Sequence, residues 1–279
     1  LAIGGFDGVH LGHQRVIQKA DRVLVIEKGG TLTPGRERSR YIPVPITFWR
    51  LEKVKKFTPL QFLSLLKEKF GKIGVVVGED FRFGANRKGD IYLLKKYFPV
   101  EVVEEVKIGR TGVHAREIRD ALRRGEVERG NQLLGRPYQI WGWQVKGQGL
   151  GGRELLPTIN LKIELPFLLP KAGVYCTRLQ TYPSLTFVGV RSTDGKFSVE
   201  VHLLGEWKEV GERLREQKGG GEIELKGALE LQFLHYLRPI FRFPSLGALR
   251  KQLMEDWERG INYFQGEIGG EEIKNYFKG

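Results

Sequence analysis

The sequence predicts a parallel α/β sheet wrapped by helices, followed by an antiparallel barrel or sandwich that closes with one long helix. Three observations predict it. The first half alternates short apolar strands with amphipathic helices. From Gly135 the texture changes to strand-like runs separated by turns, and after Pro244 apolar residues recur at helical spacing. With 279 residues the chain has room for about two domains.

In the first half, strands are expected at Leu1 to Gly5, Val23 to Glu27, Ile73 to Gly78 and Val100 to Val106. A helix begins at Thr58, where Thr58 as N-cap, Pro59 at the first helical position and Gln61 three residues on form a capping-box signature. Phe62, Leu65, Leu66 and Phe70 then share one face. A second helix runs from Ala115 to Arg124, with Ile118, Ala121 and Leu122 inward and Arg116, Arg119 and Arg123 on a basic stripe. The Gly/Pro/Arg-rich stretch Lys28 to Val44 reads as a long loop, and long loops in compact domains are usually functional or mobile.

A domain boundary is expected near Gly130 to Gly135, where two glycines and Asn131 interrupt the pattern, giving domains 1–130 and 135–279. Beyond it, strands are expected at Tyr138 to Val145, Thr158 to Ile163, Val174 to Leu179, Leu185 to Val190, Phe197 to Leu203 and Leu229 to Leu237. The closing helix has Ser245 as cap and Leu246, Leu249, Leu253, Trp257, Ile261 and Phe264 on its apolar stripe. The charged, triple-glycine segment Gly205 to Gly221 reads as an exposed insertion.

A hydrophobic fraction of 41% is enough for real cores and too much for a disordered chain. No run of about 18 uncharged apolar residues is present, and no basic segment leads into a hydrophobic stretch at the start. Neither a spanning helix nor a secretory signal is therefore expected, and the expected address is the cytoplasm. Because residue 1 is leucine, further residues upstream are expected. The single cysteine, Cys176, excludes an internal disulfide framework and any multi-cysteine metal cage; it lies mid-strand and reads as a small core residue. The net charge is +13, and residues 1–135 hold most of the excess, with 26 Lys and Arg against 16 Asp and Glu. Such a field admits nucleic acid, anionic membrane and nucleotide triphosphate alike.

The sharpest local signal is the run Gly4-Gly5-Phe6-Asp7-Gly8-Val9-His10-Leu11-Gly12-His13, directly after the first strand and ahead of a helix containing Val16, Ile17 and Ala20. Glycines let backbone approach a phosphate closely, and two histidines separated by Leu-Gly can both point at one anion. They can donate hydrogen bonds to charge developing on a phosphoryl group. A second block, Val76-Val77-Gly78-Glu79-Asp80-Phe81-Arg82-Phe83-Gly84, places Asp80 and Arg82 at a strand's C-terminal end, where α/β sheets bind ligands. Phe81 and Phe83 either stack on a flat ring or plug the core.

The His10-Leu11-Gly12-His13 run resembles the HxGH motif of the nucleotidylyltransferase superfamily, and in its Gly-Phe-Asp-Gly-Val-His context resembles the bifunctional bacterial riboflavin kinase/FAD synthetase family. The resemblance spans Gly4 to about Phe264 and implies a Rossmann-like nucleotidylyltransferase domain followed by an antiparallel β-barrel riboflavin kinase domain with a C-terminal helix. It implies an ATP site shaped by Gly5, Phe6, Asp7 and Gly8, with His10 and His13 stabilising the transferring phosphate and Asp80, Arg82 and Arg119 in the flavin and nucleotide pocket. Where the family shows Ser-Ser-Thr before Ile-Arg, this chain reads His114-Ala115-Arg116-Glu117-Ile118-Arg119; the family's Phe-x-Pro-His-Pro segment is missing.

In the second half, Gly151-Gly152-Arg153-Glu154-Leu155-Leu156-Pro157-Thr158-Ile159-Asn160 resembles the family's loop ending in Pro-Thr-Ala-Asn, with Arg153 as a ligand contact. A hydroxyl and an amide oxygen two residues apart on an extended chain face one side, and hard oxygens suit a magnesium ion shared with a triphosphate. The run Phe197-Ser198-Val199-Glu200-Val201-His202-Leu203 alternates strictly, so Ser198, Glu200 and His202 share a face. By resemblance Glu200 is the general base for the flavin's terminal hydroxyl, and Arg238 is a flavin or phosphate contact; the family's Arg-Pro-Thr stands here as Arg191-Ser192-Thr193.

These expectations add up to a magnesium-dependent, ATP-using enzyme that turns riboflavin into FMN and FMN into FAD, with no nucleic acid or membrane partner. The sequence admits two other readings. One keeps only the kinase, because of the altered segment at His114 to Arg119; the other assigns the basic first half to nucleic acid through Arg36 to Arg40 and the Arg116 to Arg124 helix. Against the last stands the lack of a helix-turn-helix or base-stacking motif. The sequence fixes no oligomeric state.

Overall fold

The computed structural model describes residues 1–145, 158–191, 195–204 and 227–267. They form two compact units, one made of Leu1–Arg119 with Gln132–Gly135, the other of Asp120–Asn131 with the described residues from Arg136 onward.

The first unit carries a five-stranded parallel sheet in the order β3-β2-β1-β4-β5, with β1 at Ala2–Gly4, β2 at Val23–Glu27, β3 at Ile46–Arg50, β4 at Val75–Gly78 and β5 at Val100–Val103. Strand side chains alternate between faces. Leu1, Ile3, Leu24, Val75 and Val77 therefore meet one apolar layer, with Phe62, Leu63 and Leu66 of helix α3 (Pro59–Phe70) and Leu94 of α4 (Ile91–Lys95). Ala2, Val23, Val25 and Val76 meet the other, with Val16 and Ile17 of α1 (Leu11–Ile17). The capping box of α3 forms as expected: Gln61 N–H donates to Thr58 Oγ1 at 3.3 Å and Thr58 N–H to Gln61 Oε1 at 2.8 Å.

The chain starts at the central β1, adds β2 and β3 on one side, then crosses to β4 and β5 on the other. The loops leaving β1 and β4 thus diverge at the carboxyl ends of neighbouring strands, which opens the crevice where sheets of this kind take ligands. Strand β3 and the short α2 (Leu51–Val54) were not expected; β3 is a half-buried edge strand just after Pro43 and Pro45, so turn signals mask it. The stretch read as a long loop holds a 3₁₀ turn at Gly35–Arg40. Helix α5 (Ala115–Arg124) runs where expected, with Ile118, Ala121 and Leu122 buried. The glycines read as an interruption lie instead within or just after α6 (Val127–Leu134). A Cβ on Gly130 would sit 3.2 Å from Leu122 Cδ2, so the glycine serves close helix packing.

The second unit settles barrel against sandwich. Strands β8 (Tyr138–Val145), β9 (Ile159–Lys162), β10 (Gly173–Leu179), β11 (Tyr182–Val190), β12 (Phe197–Leu203) and β13 (Leu229–Arg238) close in the order β10-β11-β12-β9-β8-β13, with β13 pairing back onto β10. So few strands enclose only side chains. Tyr175, Thr177, Ser184, Thr186, Val199, Val201 and Phe233 are buried, and the hydroxyls of Thr177, Ser184 and Thr186 satisfy one another, Thr177 Oγ1 lying 2.8 Å from Ser184 Oγ and 2.7 Å from Thr186 Oγ1. Functional side chains of this unit must therefore work from the outer face.

Part of that face is covered by α7 (Leu246–Glu267 in the chain), whose cap bond from Ala248 N–H to Ser245 Oγ is 3.1 Å. Val174, Cys176, Leu185, Leu234 and Leu237 pack against its Phe264, which confirms Cys176 as a core residue. The centre of the buried stripe is Asp256, Gly260 and Phe264. Asp256 is buried because Arg238 at the end of β13 meets it with Nε 2.7 Å from Oδ1 and Nη2 2.6 Å from Oδ2. Removing one partner of such a pair leaves the other charge buried, so Asp256→Ala is expected to cost about 3–5 kcal/mol in denaturant unfolding. Glu164→Ala, which breaks an exposed pair with Lys162, is expected to cost under about 1 kcal/mol. Equal losses would contradict the assignment.

Candidate functional site

The turn between β1 and α1 is built under constraint. Phe6 (φ 47°), Gly8 (φ 87°) and Val9 (φ 42°) all have left-handed backbone, and for a β-branched valine this is a strained conformation costing about 1–3 kcal/mol. The surroundings hold it: Gly8 N–H donates to Thr33 Oγ1 at 2.8 Å, Gln14 Nε2 donates to Val9 O at 3.0 Å, and the side chains of Phe6 and Val9 are buried.

Beneath the turn lies the carboxylate of Asp7. Oδ1 accepts the N–H groups of Leu32 and Thr33 at 2.9 and 3.0 Å, while Oδ2 accepts Thr31 N–H at 3.2 Å and Arg119 Nη1 at 2.8 Å. Asp7 and Arg119 therefore act here as one brace across residues 112 apart. A second brace was not foreseen. Arg38 is fully buried, donates to Gly5 O at 2.9 Å and Gly35 O at 2.8 Å, and pairs with Glu27. Its burial takes Arg38 out of the run of arginines at Arg36 to Arg40, of which Arg36 and Arg40 stay exposed. Gly30 passes between the two braces, where a Cβ would run into Arg38 and lie 2.5 Å from Asp7 Oδ1.

On this platform stand the two histidines, ring centroids 3.5 Å apart and nearly parallel. His10 caps α1: its Nδ1 accepts His13 N–H at 3.3 Å, which leaves the ring proton on Nε2. Phe6 meets His13 edge-on at 5.2 Å. Burial pushes the His13 imidazole well below the ordinary histidine range, and His10, Arg38, Lys28 and His114 push it further the same way. His13 Nδ1 is buried with no hydrogen-bond partner. Lys28, just past the carboxyl end of β2, lays its chain over Gly5, where a Cβ would sit 3.3 Å from its Cε. Two imidazoles beside the Lys28 side chain can donate hydrogen bonds to a phosphoryl group and help balance its charge.

Asp80 and Arg82, at the exit of β4, are exposed, with Arg82 Nη1 3.7 Å from Asp90 Oδ2. The two phenylalanines settle as core: Phe83 is buried among Phe62 and Leu66, with Phe81 packed on the same cluster.

In the barrel, antiparallel pairing of β9 and β12 sets Asn160 directly opposite Glu200. Arg191 Nη1 lies 3.4 Å from Glu200 Oε1, and Ser198 Oγ, on the same face, is buried with no partner. Thr158 immediately precedes β9. These are oxygen donors of the kind magnesium takes, one hydroxyl and one amide beside a carboxylate. Among the described residues no group of three or more His, Cys, Asp and Glu could hold a metal ion. Arg238 is bonded to Asp256, and its Nη1 donates to Pro239 O at 2.9 Å. Arg153, Ser192, Thr193 and the insertion Gly205 to Gly221 lie outside the described residues.

The riboflavin kinase family model matches residues 134–264 and the FAD synthetase model residues 47–117. A bifunctional riboflavin kinase/FMN adenylyltransferase from Listeria monocytogenes is 28% identical over 92% of this chain and 89% of that one. A relative from Geobacillus thermodenitrificans, with the same two activities in its name, is 32% identical over 49% of this chain and 89% of that one. The chain belongs to the bifunctional riboflavin kinase/FMN adenylyltransferase family. The Escherichia coli member is 29% identical over 73% of this chain and 77% of its own. The kinase match takes in Thr158, Asn160, Glu200 and Arg238; the FAD synthetase match takes in Asp80, Arg82 and His114 and begins after His10 and His13. The fold is shared with the crystal structure of a macrolide-efflux protein from Streptococcus pneumoniae, at a TM-score of 0.73 and 22% identity over 94% of this chain and 93% of that one. At that identity the likeness speaks to fold alone. No helix among the described residues is long and apolar enough to cross a membrane.

The lowered His13 gives a pH dependence whose sign follows from proton uptake. The unfolded chain protonates this histidine at its ordinary value of 6.5 while the folded protein resists, so stability from this group is present above pH 6.5 and is lost as pH falls below it. His13→Gln is expected to flatten that part of the stability curve in denaturant titrations between about pH 5 and 7; an unchanged slope would show that His13 titrates normally. Gly30→Ala is expected to cost about 1–3 kcal/mol by overpacking the two braces, read as a lowered unfolding midpoint.

Proposed function

We propose that this chain phosphorylates riboflavin to FMN with ATP and then adenylylates FMN to FAD with a second ATP, releasing pyrophosphate. The observation that carries it is that each of the two family-matched units presents its own reactive cluster, the stacked histidine pair on one and the Asn160–Glu200 pair on the other. We assign adenylyl transfer to residues 1–130 and the kinase to residues 135–279.

In the kinase step Glu200 takes the proton of riboflavin's terminal hydroxyl as that oxygen attacks the γ-phosphorus; the new O–P bond forms as the bond to ADP breaks. Arg191 orients the Glu200 carboxylate. Magnesium brought with the triphosphate would be held by the Thr158 hydroxyl and the Asn160 amide oxygen and supplies positive charge to the phosphates. In the adenylyl step an FMN phosphate oxygen attacks the α-phosphorus of ATP and the bond to pyrophosphate breaks. His10 and His13 donate to the α-phosphoryl oxygens as charge builds there, Lys28 contributes a cation at the rim, and Gly5, Phe6 and Gly8 shape the turn that meets the nucleotide. Asp7 and Arg119 hold that turn from behind, while Asp80 and Arg82 border the crevice at the end of β4 for the flavin. Arg238 serves the kinase unit as the anchor of α7.

Incubation with riboflavin, ATP and magnesium, followed by chromatography of the flavins over time, is expected to show FMN first and FAD after it. Glu200→Gln should abolish FMN formation while leaving conversion of supplied FMN intact. His13→Ala should do the reverse, lowering FAD formation about 10²–10³-fold. Equal loss of both steps in either variant would refute the partition.

A further inference from the structure

A third imidazole stands beside the histidine pair, and neither the motif nor the family match gives it a task. His114 ends the segment that follows the hairpin of β6 (Lys107–Ile108) and β7 (Thr111–Gly112), and its Nε2 lies 2.7 Å from Glu105 Oε1. The other oxygen of Glu105 faces Lys107 Nζ at 3.4 Å. Room for this pair is made by Gly112, where a Cβ would run into the Glu105 carboxylate and lie 3.1 Å from His114 Nε2. The hydrogen bond from His114 holds Glu105 below the ordinary carboxylate range.

The segment is delivered to the phosphate turn. The carbonyl of Val113 and the ring of His10 both lie 3.3 Å from where a Cβ on Gly12 would sit, so the same glycine of the His-x-Gly-His run is flanked by His10 and by the residue before His114. His114 is also among the charges that bear on His13. It differs from its two neighbours in kind. His10 accepts a hydrogen bond at Nδ1 and His13 is kept neutral by burial, whereas the His114 side chain is about half exposed with a carboxylate behind it. A carboxylate fixes the ring it binds. With Nε2 engaged by Glu105, the ring leaves Nδ1 for a polyphosphate oxygen.

We propose that His114, oriented by Glu105, binds the outer phosphates of the nucleotide triphosphate in the adenylyl-transfer site and the pyrophosphate that leaves it. The inference rests on the adenylyl-transfer reading above. It divides the labour at that site: His10 and His13 serve the reacting phosphorus, and His114 serves the leaving group. Glu105 is then a positioning residue that acts through His114.

The test is steady-state conversion of supplied FMN to FAD by His114→Ala, His114→Gln, Glu105→Gln and the His114→Ala/Glu105→Gln double variant, with inhibition by inorganic pyrophosphate measured alongside. KM for FMN in the same samples reports that the first unit is folded. For His114→Ala, KM for ATP and the inhibition constant of pyrophosphate are expected to rise together, about tenfold, the loss of one charge-assisted hydrogen bond. KM for FMN should stay unchanged. Glu105→Gln should show a smaller shift of the same two constants, and in the double variant it should add nothing to His114→Ala, as partners in one contact do. Wild-type ATP and pyrophosphate constants in His114→Ala and His114→Gln would overturn the proposal while leaving adenylyl transfer standing. A wild-type protein that makes FMN and no FAD would overturn the underlying reading and the proposal with it.

Discussion

The Asp7 carboxylate is the constraint on which the first unit's site depends. It is buried, and its two oxygens gather three backbone N–H groups from residues 31–33 and the guanidinium of Arg119. The strained conformations of Phe6 and Val9 on either side of it persist only because this net and the Arg38 brace over-determine the turn. Strain held in place in this way fixes His10 and His13 face to face before any ligand arrives. Preorganised donors of that kind lose little reorganisation energy when charge develops on a phosphate.

Each unit puts its chemistry where its topology leaves room. In the parallel sheet the room is at the carboxyl ends of β1 and β4, where the strand order switches sides, and the histidine turn grows from the first of these. In the six-stranded barrel the interior is closed by aromatic rings and a set of mutually bonded hydroxyls, and Glu200 and Asn160 stand opposite each other on its outer face. The same alternation that buries Val199 and Val201 turns Glu200 outward, so core and site are two readings of one strand. Helix α7 is fastened on another part of that outer face by Arg238 and Asp256.

Much of this was legible in the sequence because local signals and tertiary structure agree. The Thr58-to-Gln61 capping box, the alternation of β12 and the bounds of α5 stand at the residues that spell them. The histidine pair was legible because Gly, His and spacing carry its geometry within ten residues. Long-range polar partners were not legible. Arg38 sits in a run that reads as a solvated basic loop, and only folding reveals Glu27 and the Gly5 carbonyl around it. Asp256 lies on a helix face whose apolar spacing hides it, since its partner Arg238 comes from a strand. Asp7 and Arg238 belong to recognisable motifs, yet their hydrogen bonds go to the protein itself, which no motif states. The position of Lys28 beside the phosphate turn had one available signal, its place just beyond a parallel strand's carboxyl end.

The central claim is that the first unit's chemistry depends on a turn held by one carboxylate. Asp7→Asn keeps the side chain's volume and exchanges one acceptor oxygen for an NH₂ that faces N–H donors on every side. The decisive measurement is the rate of FAD formation from supplied FMN in this variant, beside its rate of riboflavin phosphorylation. Adenylyl transfer is predicted to fall about a hundredfold, the scale of a small misplacement of reacting groups, with phosphorylation unchanged. Adenylyl transfer at the wild-type rate would contradict the account.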